Sequence, residues 1–368
     1  MAESQKRVIL AVSNDLTGDS RVHKMAMTLF ENGFYVRVIG RKLPASIPLP
    51  EVPYETKRMR FLFNKGPLFY AEMNLRYFLY FLLHSYDFAT ANDLDTLLGL
   101  YKATKIRHKK LIYDSHEYFT EVPELVRRPK TQKKWRNIEQ HIFPKLKRCI
   151  TVCDSIAEIY HKTYGVRVSV IRNLPYRLEV VPPKAQLQLP SSNVILYQGA
   201  LNMGRGLETM IQAMQYIDNA CLLIIGDGDI RAELQKISNK SGLSRRIIFT
   251  GKIPFHELPA YTQLATIGIS LEEDLGGNYH YALPNKLFDY IQAGKPVLAS
   301  NLPEMAQIVS TYQCGEIVKD REPHNLAKQI SILLADNDRL NNFHTQCINA
   351  AQELCWEQQE QKILELYR

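Results

Sequence analysis

Short apolar runs alternate with segments of helical periodicity along most of the chain. Such runs predict strands buried on both faces, whereas apolar residues three and four apart predict amphipathic helices. The strands are predicted at 8–12, 34–39, 87–91, 111–113, 149–152, 194–199, 221–225, 247–250, 266–271 and 297–300. The helices are predicted at 21–32, from 94, from 155, and at 207–217, 230–238, 255–263, 284–293 and 356–367. This alternation indicates an α/β protein with doubly wound parallel sheets.

One segment interrupts the alternation. It carries Pro182, Pro183 and Pro190 and shows little apolar periodicity before the pattern restarts at Val194. A chain of 368 residues is also too long for one ordinary domain. We therefore predict two tandem Rossmann-like domains, at 1–178 and 194–352, with a linker at 179–193 and a cleft between the domains. A last helical segment follows at 353–368.

The stretch 283–297 combines a helix with charged side chains. Pro284 suits a first helical turn, and Gly294 suits the left-handed residue after a helix end. A strand is predicted on each side, so the helix N-terminus lies at the carboxyl end of a strand, where α/β folds bind anions. Asn285, Lys286 and Asp289 lie near that N-terminus. A cation and a carboxylate there suit a ligand with a phosphate and a sugar diol.

Glycine-bearing turns follow the first two strands of the second domain. Gly199 begins one turn, which also contains Arg205, and Gly226 and Gly228 lie in the next. Glycines let the backbone approach a pyrophosphate, and a cation neutralises it. A lone Gly-x-Gly is also a common tight turn, and a solvated Arg205 at a helix start is the alternative. Their occurrence together favours a phosphate site.

These features resemble the signature of the retaining glycosyltransferases of family 4, which have the two-domain GT-B fold. Asp289 stands where the ribose-binding glutamate of that family stands, and Tyr281 replaces a second glutamate eight positions earlier. Arg205 matches a family lysine, but Ala200 replaces an arginine, so Lys286 is expected to supply the missing charge. The run Pro-Asn-Lys-Leu-Phe is similar to a subgroup that acts on bacterial surface polysaccharides.

The resemblance implies a role for each domain. The second domain is implied to bind the sugar nucleotide, the first to face the acceptor, and the C-terminal helix at 353–368 to cross back onto the first domain. The run 250–254, which contains Ile253, is similar to a family segment whose backbone borders the base. The implied donor-binding residues are Gly18, Gly199, Arg205, Gly226, Gly228, Ile253, Leu283, Asn285, Lys286 and Asp289.

The loop after the first strand carries an acceptor-side candidate. Gly18 is expected to approach the diphosphate, and Arg21 is expected to face the cleft from the first helical turn. A cation at that position opposes the helix dipole, which favours a role beyond helix stability. An ion pair of Arg21 with Asp15 or Asp19 is the alternative.

His116 lies at the predicted carboxyl end of a strand, in a Tyr-Asp-Ser-His-Glu run that resembles a family motif. An imidazole changes charge near neutral pH. His116 is therefore predicted as the catalytic residue, holding a sugar hydroxyl or relaying a proton, and Glu117 is expected to orient it or to contact the acceptor. A structural histidine is the alternative.

The net charge of +8 favours phosphates or an anionic membrane surface as partners. Nucleic acid is not predicted, because no nucleic-acid-binding signature accompanies the charge. The Asp-x-Asp runs at 93–95 and 227–229 spell a metal motif, but each precedes a predicted helix and is interpreted as helix caps. We predict no metal and no cofactor, with a UDP-, GDP- or ADP-sugar as co-substrate.

The segment 68–83 is rich in Phe, Tyr and Leu and carries only Glu72 and Arg76 as charges. Two interpretations remain open, a membrane-surface dock for a lipid-linked acceptor and a buried helix. The six scattered cysteines predict no disulfide, and the apolar strand at 8–12 follows the N-terminus without a signal peptide. The predicted location is cytoplasmic, with a peripheral contact at the inner face of the membrane left open.

The predicted function is a retaining glycosyltransferase that moves a hexosyl unit from a nucleotide diphosphate sugar to a lipid-linked or growing surface glycan. A sugar-nucleotide 2-epimerase is the second hypothesis. A non-catalytic sugar-nucleotide-binding protein is the third, encouraged by the departures from the family pattern at Ala200 and Tyr281.

Overall fold

The computed structural model describes residues 5–179 and 182–368. Residues 1–4 of the predicted first domain and 180–181 of the predicted linker lie outside these ranges. The chain divides into two compact units. Unit 1 comprises the chain up to Asn173 together with Gln359–Arg368, and unit 2 comprises Leu174–Gln358.

Unit 1 is a parallel sheet covered by helices. Its elements, in chain order, are β1 (Arg7–Ala11), α1 (Ser20–Glu31), β2 (Tyr35–Arg41), β3 (Glu55–Met59), α2 (Gly66–Leu83), β4 (Phe88–Asn92), α3 (Leu94–Ile106), β5 (Lys110–Ser115), α4 (Pro123–Val126), α5 (Pro129–Ile142), β6 (Cys149–Thr151), α6 (Asp154–Tyr164) and β7 (Ser169–Val170). The strand order is β3-β2-β1-β4-β5-β6-β7, and every adjacent pair is parallel. The chain winds outward in opposite directions from β1 and β4, so these strands form the switch point at whose carboxyl edge ligands bind.

Unit 2 repeats the plan with six strands. Its elements are β8 (Val194–Gln198), α7 (Leu207–Ala213), β9 (Cys221–Ile225), α8 (Arg231–Lys240), β10 (Ile247–Gly251), α9 (Leu258–Thr262), β11 (Ile267–Ser270), α10 (Gly277–His280), α11 (Asn285–Gln292), β12 (Val297–Ala299), α12 (Pro303–Tyr312), β13 (Gly315–Ile317), α13 (Pro323–Ala335) and α14 (Asn337–Glu353). The order β10-β9-β8-β11-β12-β13 places the switch point between β8 and β11.

The C-terminal helix α15 (Glu357–Leu366) lies largely in unit 1. Tyr367, which follows it, is fully buried, and its ring packs against Phe34 and Phe88 with centroid distances of 6.2 and 5.4 Å. Its hydroxyl lies 2.6 Å from Oγ1 of Thr90 in β4. The C-terminal helix thus joins the N-terminal unit, as the family resemblance implied.

The predicted parallel α/β sheets are confirmed, and most predicted elements agree with the observed ones within a few residues. The sequence patterns missed three strands, β3, β7 and β13, and the helices α4, α5, α10, α12, α13 and α14. The strand β3 has no apolar run, because it is a half-exposed edge strand of mostly polar residues. All six cysteines are buried and free. Within the described ranges, every helix is too short or too polar to cross a membrane.

Candidate functional site

Two glycine turns stack on each other at the carboxyl edge of the unit 2 sheet. The Gly199 N–H donates to the Ile225 carbonyl at 2.9 Å, and the Gly226 N–H donates to the Gly251 carbonyl at 2.9 Å. A Cβ atom on Gly226, whose φ is +137°, would lie 1.9 Å from the Gly199 carbonyl oxygen. Only glycine fits there, so the turns after β8 and β9 expose backbone rather than side chains.

Both predicted phosphate-binding cations converge on one carboxylate, that of Glu272. Lys286 Nζ donates to Glu272 Oε1 at 2.6 Å, and Arg205 Nη1 lies 3.5 Å from the same oxygen. Ser270 Oγ donates to Oε2 at 2.7 Å. Burial would raise the pKa of Glu272, but the charges of Lys286 and Arg205 outweigh it and lower that pKa. The fully buried Glu272 is therefore an ionised anchor for the two cations.

The sequence patterns did not assign Glu272 a role, although it lies two positions after the end of β11, at the switch point. Its two cations also lie on aromatic rings. Lys286 Nζ is 4.3 Å from the Tyr197 ring centroid, and the Arg205 guanidinium is 5.2 Å from that of Tyr279. Two positive charges and one negative charge leave this cluster at net +1, which suits an anionic ligand.

Asp289 is held from the sheet by Gln198, a second residue that sequence reasoning missed. Gln198 Nε2 donates to Asp289 Oδ2 at 3.0 Å, and Thr262 Oγ1 donates to Gln198 Oε1 at 2.9 Å. The Gln198 N–H donates to the hydroxyl of Tyr290 at 3.1 Å. This chain of hydrogen bonds orients a partly exposed carboxylate on α11, beside Lys286.

The remaining predicted donor residues occupy different surroundings. Asn285 is exposed at the start of α11, and Gly228 is half-buried in the turn after β9. Ile253 and Leu283 are half-buried and pack on the apolar core beneath α11, so their side chains support the site from behind. In unit 1, Gly18 is exposed and has open space around its Cα.

Arg21 enters a buried ion pair rather than facing solvent. Its Nε and Nη2 donate to Asp114 Oδ2 and Oδ1 at 3.0 and 2.8 Å, and its Nη1 donates to the Ile171 carbonyl at 2.8 Å. The two side chains are 3% and 1% exposed. The alternative partners inferred from sequence, Asp15 and Asp19, were wrong, because Asp15 pairs with an arginine of β3 and Asp19 caps α1.

The His116 ring lies between two carboxylates at the carboxyl ends of β4 and β5. Its Nδ1 is 3.5 Å from Asp93 Oδ2, and its Nε2 is 3.4 Å from Asp114 Oδ2 and 3.2 Å from Asn92 Oδ1. Burial opposes the charge, but Asp93 and Asp114 outweigh it and raise the pKa of His116 to about 9. At neutral pH the ring is therefore a cationic donor. The neighbouring Glu117 is half-buried.

The Asp-x-Asp runs do not cap helices as predicted. Asp93 occupies the N-cap of α3 without a side-chain cap bond, because its carboxylate binds the His116 main chain instead. The N-cap of α8 is Ile230, and Asp227 Oδ1 accepts from the Gly228 N–H at 2.9 Å within the preceding turn. No group of three His, Cys, Asp or Glu side chains is arranged to hold a metal in the parts of the chain that the structure describes.

Two family models match the chain, one in each half. The model described as Glycosyltransferase Family 4 matches residues 19–174. The model described as Glycosyl transferases group 1 matches residues 183–354. Together they include every residue of the Glu272, Asp289, Arg21 and His116 groups.

Curated relatives are similar over part of the chain. A GDP-mannose-dependent alpha-(1-6)-phosphatidylinositol monomannoside mannosyltransferase of Mycobacterium tuberculosis is 28% identical over 140 residues, which are 37% of this chain and 36% of that protein. A lipopolysaccharide core biosynthesis glycosyltransferase of Rhizobium meliloti, LpsD, is 29% identical over 175 residues, 47% of this chain and 48% of that protein. The chain thus aligns with less than half of either relative.

Solved structures are similar over nearly the whole chain. A sucrose-phosphate synthase of Thermosynechococcus elongatus has a TM-score of 0.80 at 19% identity, with 99% of this chain and 98% of that chain covered. The Anabaena protein HepE, solved in complex with UDP, has a TM-score of 0.71 at 16% identity, with 98% and 99% covered. At such identities the likeness concerns the fold.

Proposed function

The chain belongs to the family 4, group 1 glycosyltransferases, which have the GT-B fold, and on this premise we propose that it transfers a hexosyl unit from a nucleotide diphosphate sugar with retention of configuration. One observation carries the proposal. Lys286 and Arg205 are held side by side on the buried Glu272, at the N-terminal end of α11 and next to an oriented Asp289. Cations suit a diphosphate, and a carboxylate suits a ribose diol.

The two cations would supply the main catalytic contribution. Charge builds up on the leaving diphosphate in the transition state, and preorganised cations stabilise that charge best when they need no rearrangement. Glu272 preorganises Lys286 and Arg205 in this way. We propose that they replace a metal ion and that the reaction is metal-independent. The turns at Gly199 and Gly226 lack side chains and would let the same phosphates approach closely, although the N–H groups of these two glycines already donate to protein carbonyls.

His116 would act as a charged hydrogen-bond donor to a sugar hydroxyl through its Nε2–H, which would be shared between that hydroxyl and the oxygens of Asn92 and Asp114 at 3.2 and 3.4 Å. Both its ring nitrogens face acceptor oxygens, so it is not poised to take a proton at neutral pH. In the same-face reaction that we propose, the leaving phosphate accepts the proton of the acceptor hydroxyl. Arg21 would then support His116 indirectly, because it holds both carboxylate oxygens of Asp114. Glu117 remains a candidate contact on the acceptor side.

The donor class can be tested directly. We expect one class among UDP-, GDP- and ADP-sugars to raise the melting temperature and to be consumed with a lipid-linked glycan acceptor, equally well with EDTA and with Mn²⁺. The product anomer, read by NMR, is expected to match the donor anomer. Release of a free epimer would instead identify a 2-epimerase, and donor binding without hydrolysis or transfer would identify a non-catalytic binding protein.

The names of the relatives favour a glycan acceptor over these two alternatives. The mycobacterial relative is named for a phosphatidylinositol mannoside acceptor and a GDP-mannose donor, and the Rhizobium relative for the lipopolysaccharide core. The HepE structure contains UDP. These names agree on an amphiphilic or surface glycan but differ in the base. We therefore propose a lipid-linked or growing surface glycan as acceptor and leave the donor base to the screen.

An apolar stripe on α2 supports a membrane-surface location. Only one face of this helix is buried, the face with Phe69, Met73, Tyr77 and Phe81. The interpretation as a buried helix therefore accounts for that face alone. Five leucines on or beside its outer face are 47% to 81% exposed, namely Leu62, Leu68, Leu75, Leu79 and Leu83. Arg60 and Lys65 are exposed in the same segment, whereas Arg76 pairs with Glu72 at 2.6 Å. Exposed leucines bordered by cations suit an anionic lipid surface.

Vesicle binding tests this location. We expect the protein to float with vesicles that contain phosphatidylglycerol, and the Leu75→Glu/Leu79→Glu variant to lose at least about tenfold in affinity, because two leucines no longer enter the lipid. Ile332→Glu in α13 is the matched control, since Ile332 is 55% exposed on unit 2. Equal binding of all three proteins, or a dimer that the leucine substitutions dissociate, would contradict a lipid partner.

A further inference from the structure

Asp93 adopts a backbone conformation that side chains normally avoid. Its φ is +62° and its ψ is 165°, in a region that essentially only glycine occupies. The residue follows β4 directly and precedes α3, at the switch point of the unit 1 sheet. A strained residue persists only where its surroundings hold it, and such residues concentrate at functional sites.

The side chain of Asp93 serves His116 rather than its own helix. Asp93 Oδ1 accepts the His116 main-chain N–H at 2.8 Å, and its Oδ2 lies 3.5 Å from His116 Nδ1. The Asp93 N–H donates to the Asp114 carbonyl at 2.8 Å. These contacts join the ends of β4 and β5. They also fix both the backbone and the ring of His116, which explains why an aspartate stands where glycine would relieve the strain.

Asp93 also provides the carboxylate at Nδ1, and burial raises its own pKa to about 7. Asp114, at the other ring nitrogen, shares its charge between the His116 ring and its bidentate pair with Arg21. The other charged groups that act on this pair are Asp19, Asp95 and Glu117.

We infer that Asp93 is a positioning residue that holds the His116 main chain and places a carboxylate at Nδ1 of its ring, at the cost of backbone strain. The catalytic role that this inference gives to Asp93 rests on the proposed function. The contact between Asp93 and His116 is independent of that function, because the titration of His116 can be measured on the protein alone. A transferase with a neutral His116 would lose a charged donor to the sugar hydroxyl, while donor binding by the Glu272 cluster would persist.

The ring titration of His116 tests the inference. NMR spectra of the ring protons, assigned with a His116→Gln variant, are recorded against pH for the wild type and for Asp93→Asn, without any donor. Asparagine keeps the shape but not the charge, so we expect the pKa of His116 to fall by about 1 or more. In activity assays, the rate of Asp93→Asn is then expected to decline at a lower pH than that of the wild type. An unchanged titration would overturn the inference.

A pair of variants tests the strain separately. We expect Asp93→Gly to unfold at a higher denaturant concentration than Asp93→Ala, because both lack the carboxylate and only glycine tolerates the backbone angles. Gln313→Gly and Gln313→Ala form the control pair, since Gln313 has a φ of +49° at the end of α12, and neither is expected to alter the His116 titration. If Asp93→Asn does not fold, the titration of Asp93→Gly replaces it. Equal midpoints for the two Asp93 variants would refute the strain.

Discussion

Replacing Lys286 with methionine is expected to lower the affinity for the nucleotide diphosphate sugar by about 100-fold and the free energy of unfolding by about 3 kcal/mol. The affinity falls because the diphosphate loses its more buried cation. The stability falls because the fully buried Glu272 keeps only Arg205, at 3.5 Å, as a counter-charge. Calorimetric titration and urea denaturation measure the two effects on the same preparations.

A second substitution separates these two effects. In Lys286→Met/Glu272→Gln the buried charge is removed together with its partner, so stability is expected to recover most of its loss, whereas donor binding stays weak. Lys236→Met is the matched control, because Lys236 is an exposed lysine of α8 in the same unit, outside the segments assigned to the donor. Wild-type affinity in Lys286→Met would show that the donor does not bind at this cluster.

Replacing Arg21 with methionine is expected to destabilise the protein by about 3–5 kcal/mol at neutral pH, because Asp114 is left charged and almost fully buried. In the wild type, burial would raise the pKa of Asp114, but Arg21 and His116 outweigh it and hold that pKa well below its usual range. Without Arg21 the pKa of Asp114 rises, so the variant takes up a proton as it is acidified and the wild type does not. The stability difference is therefore expected to shrink from pH 7.5 to pH 5.

Denaturation at the two pH values checks this expectation. Lys109→Met provides the comparison, since Lys109 and Asp87 form a pair at 3.1 Å whose side chains are 31% and 45% exposed. Such an exposed pair contributes less than about 1 kcal/mol. A loss of that size in Arg21→Met, or one independent of pH, would mean that the Arg21–Asp114 pair is not the buried support of His116 that its geometry indicates.

Local patterns were sufficient to predict the parts of the fold that depend on near neighbours in the chain. The buried strands around both switch points and the helix α11 were predicted correctly, because apolar periodicity and the Pro284 and Gly294 signals act within a few residues. The edge strand β3 was missed because such local patterns do not detect pairing between strands. Its residues are half-exposed and polar, so pairing with β2 alone defines it as a strand.

The charged contacts of the candidate site could not be predicted in this way. The sequence indicated Lys286 and Arg205 as cations and His116 as a site residue, but it did not indicate Glu272 as the common partner of the two cations. Arg21 and Asp114 are 93 positions apart, and two nearer aspartates were equally good partners by sequence distance. Each such pair exists because of the order in which strands lie in the sheet.

The sequence by itself determined that this chain forms two α/β units with glycine turns and a signature helix, because these features follow from local periodicity and backbone freedom. Only the tertiary structure decided which charges meet. Strands that are distant in the chain end at one sheet edge, and burial there forces each charge to find a partner. That requirement places Glu272 between two cations and His116 between two carboxylates, and it holds Asp93 in a conformation that its own sequence neighbours do not favour.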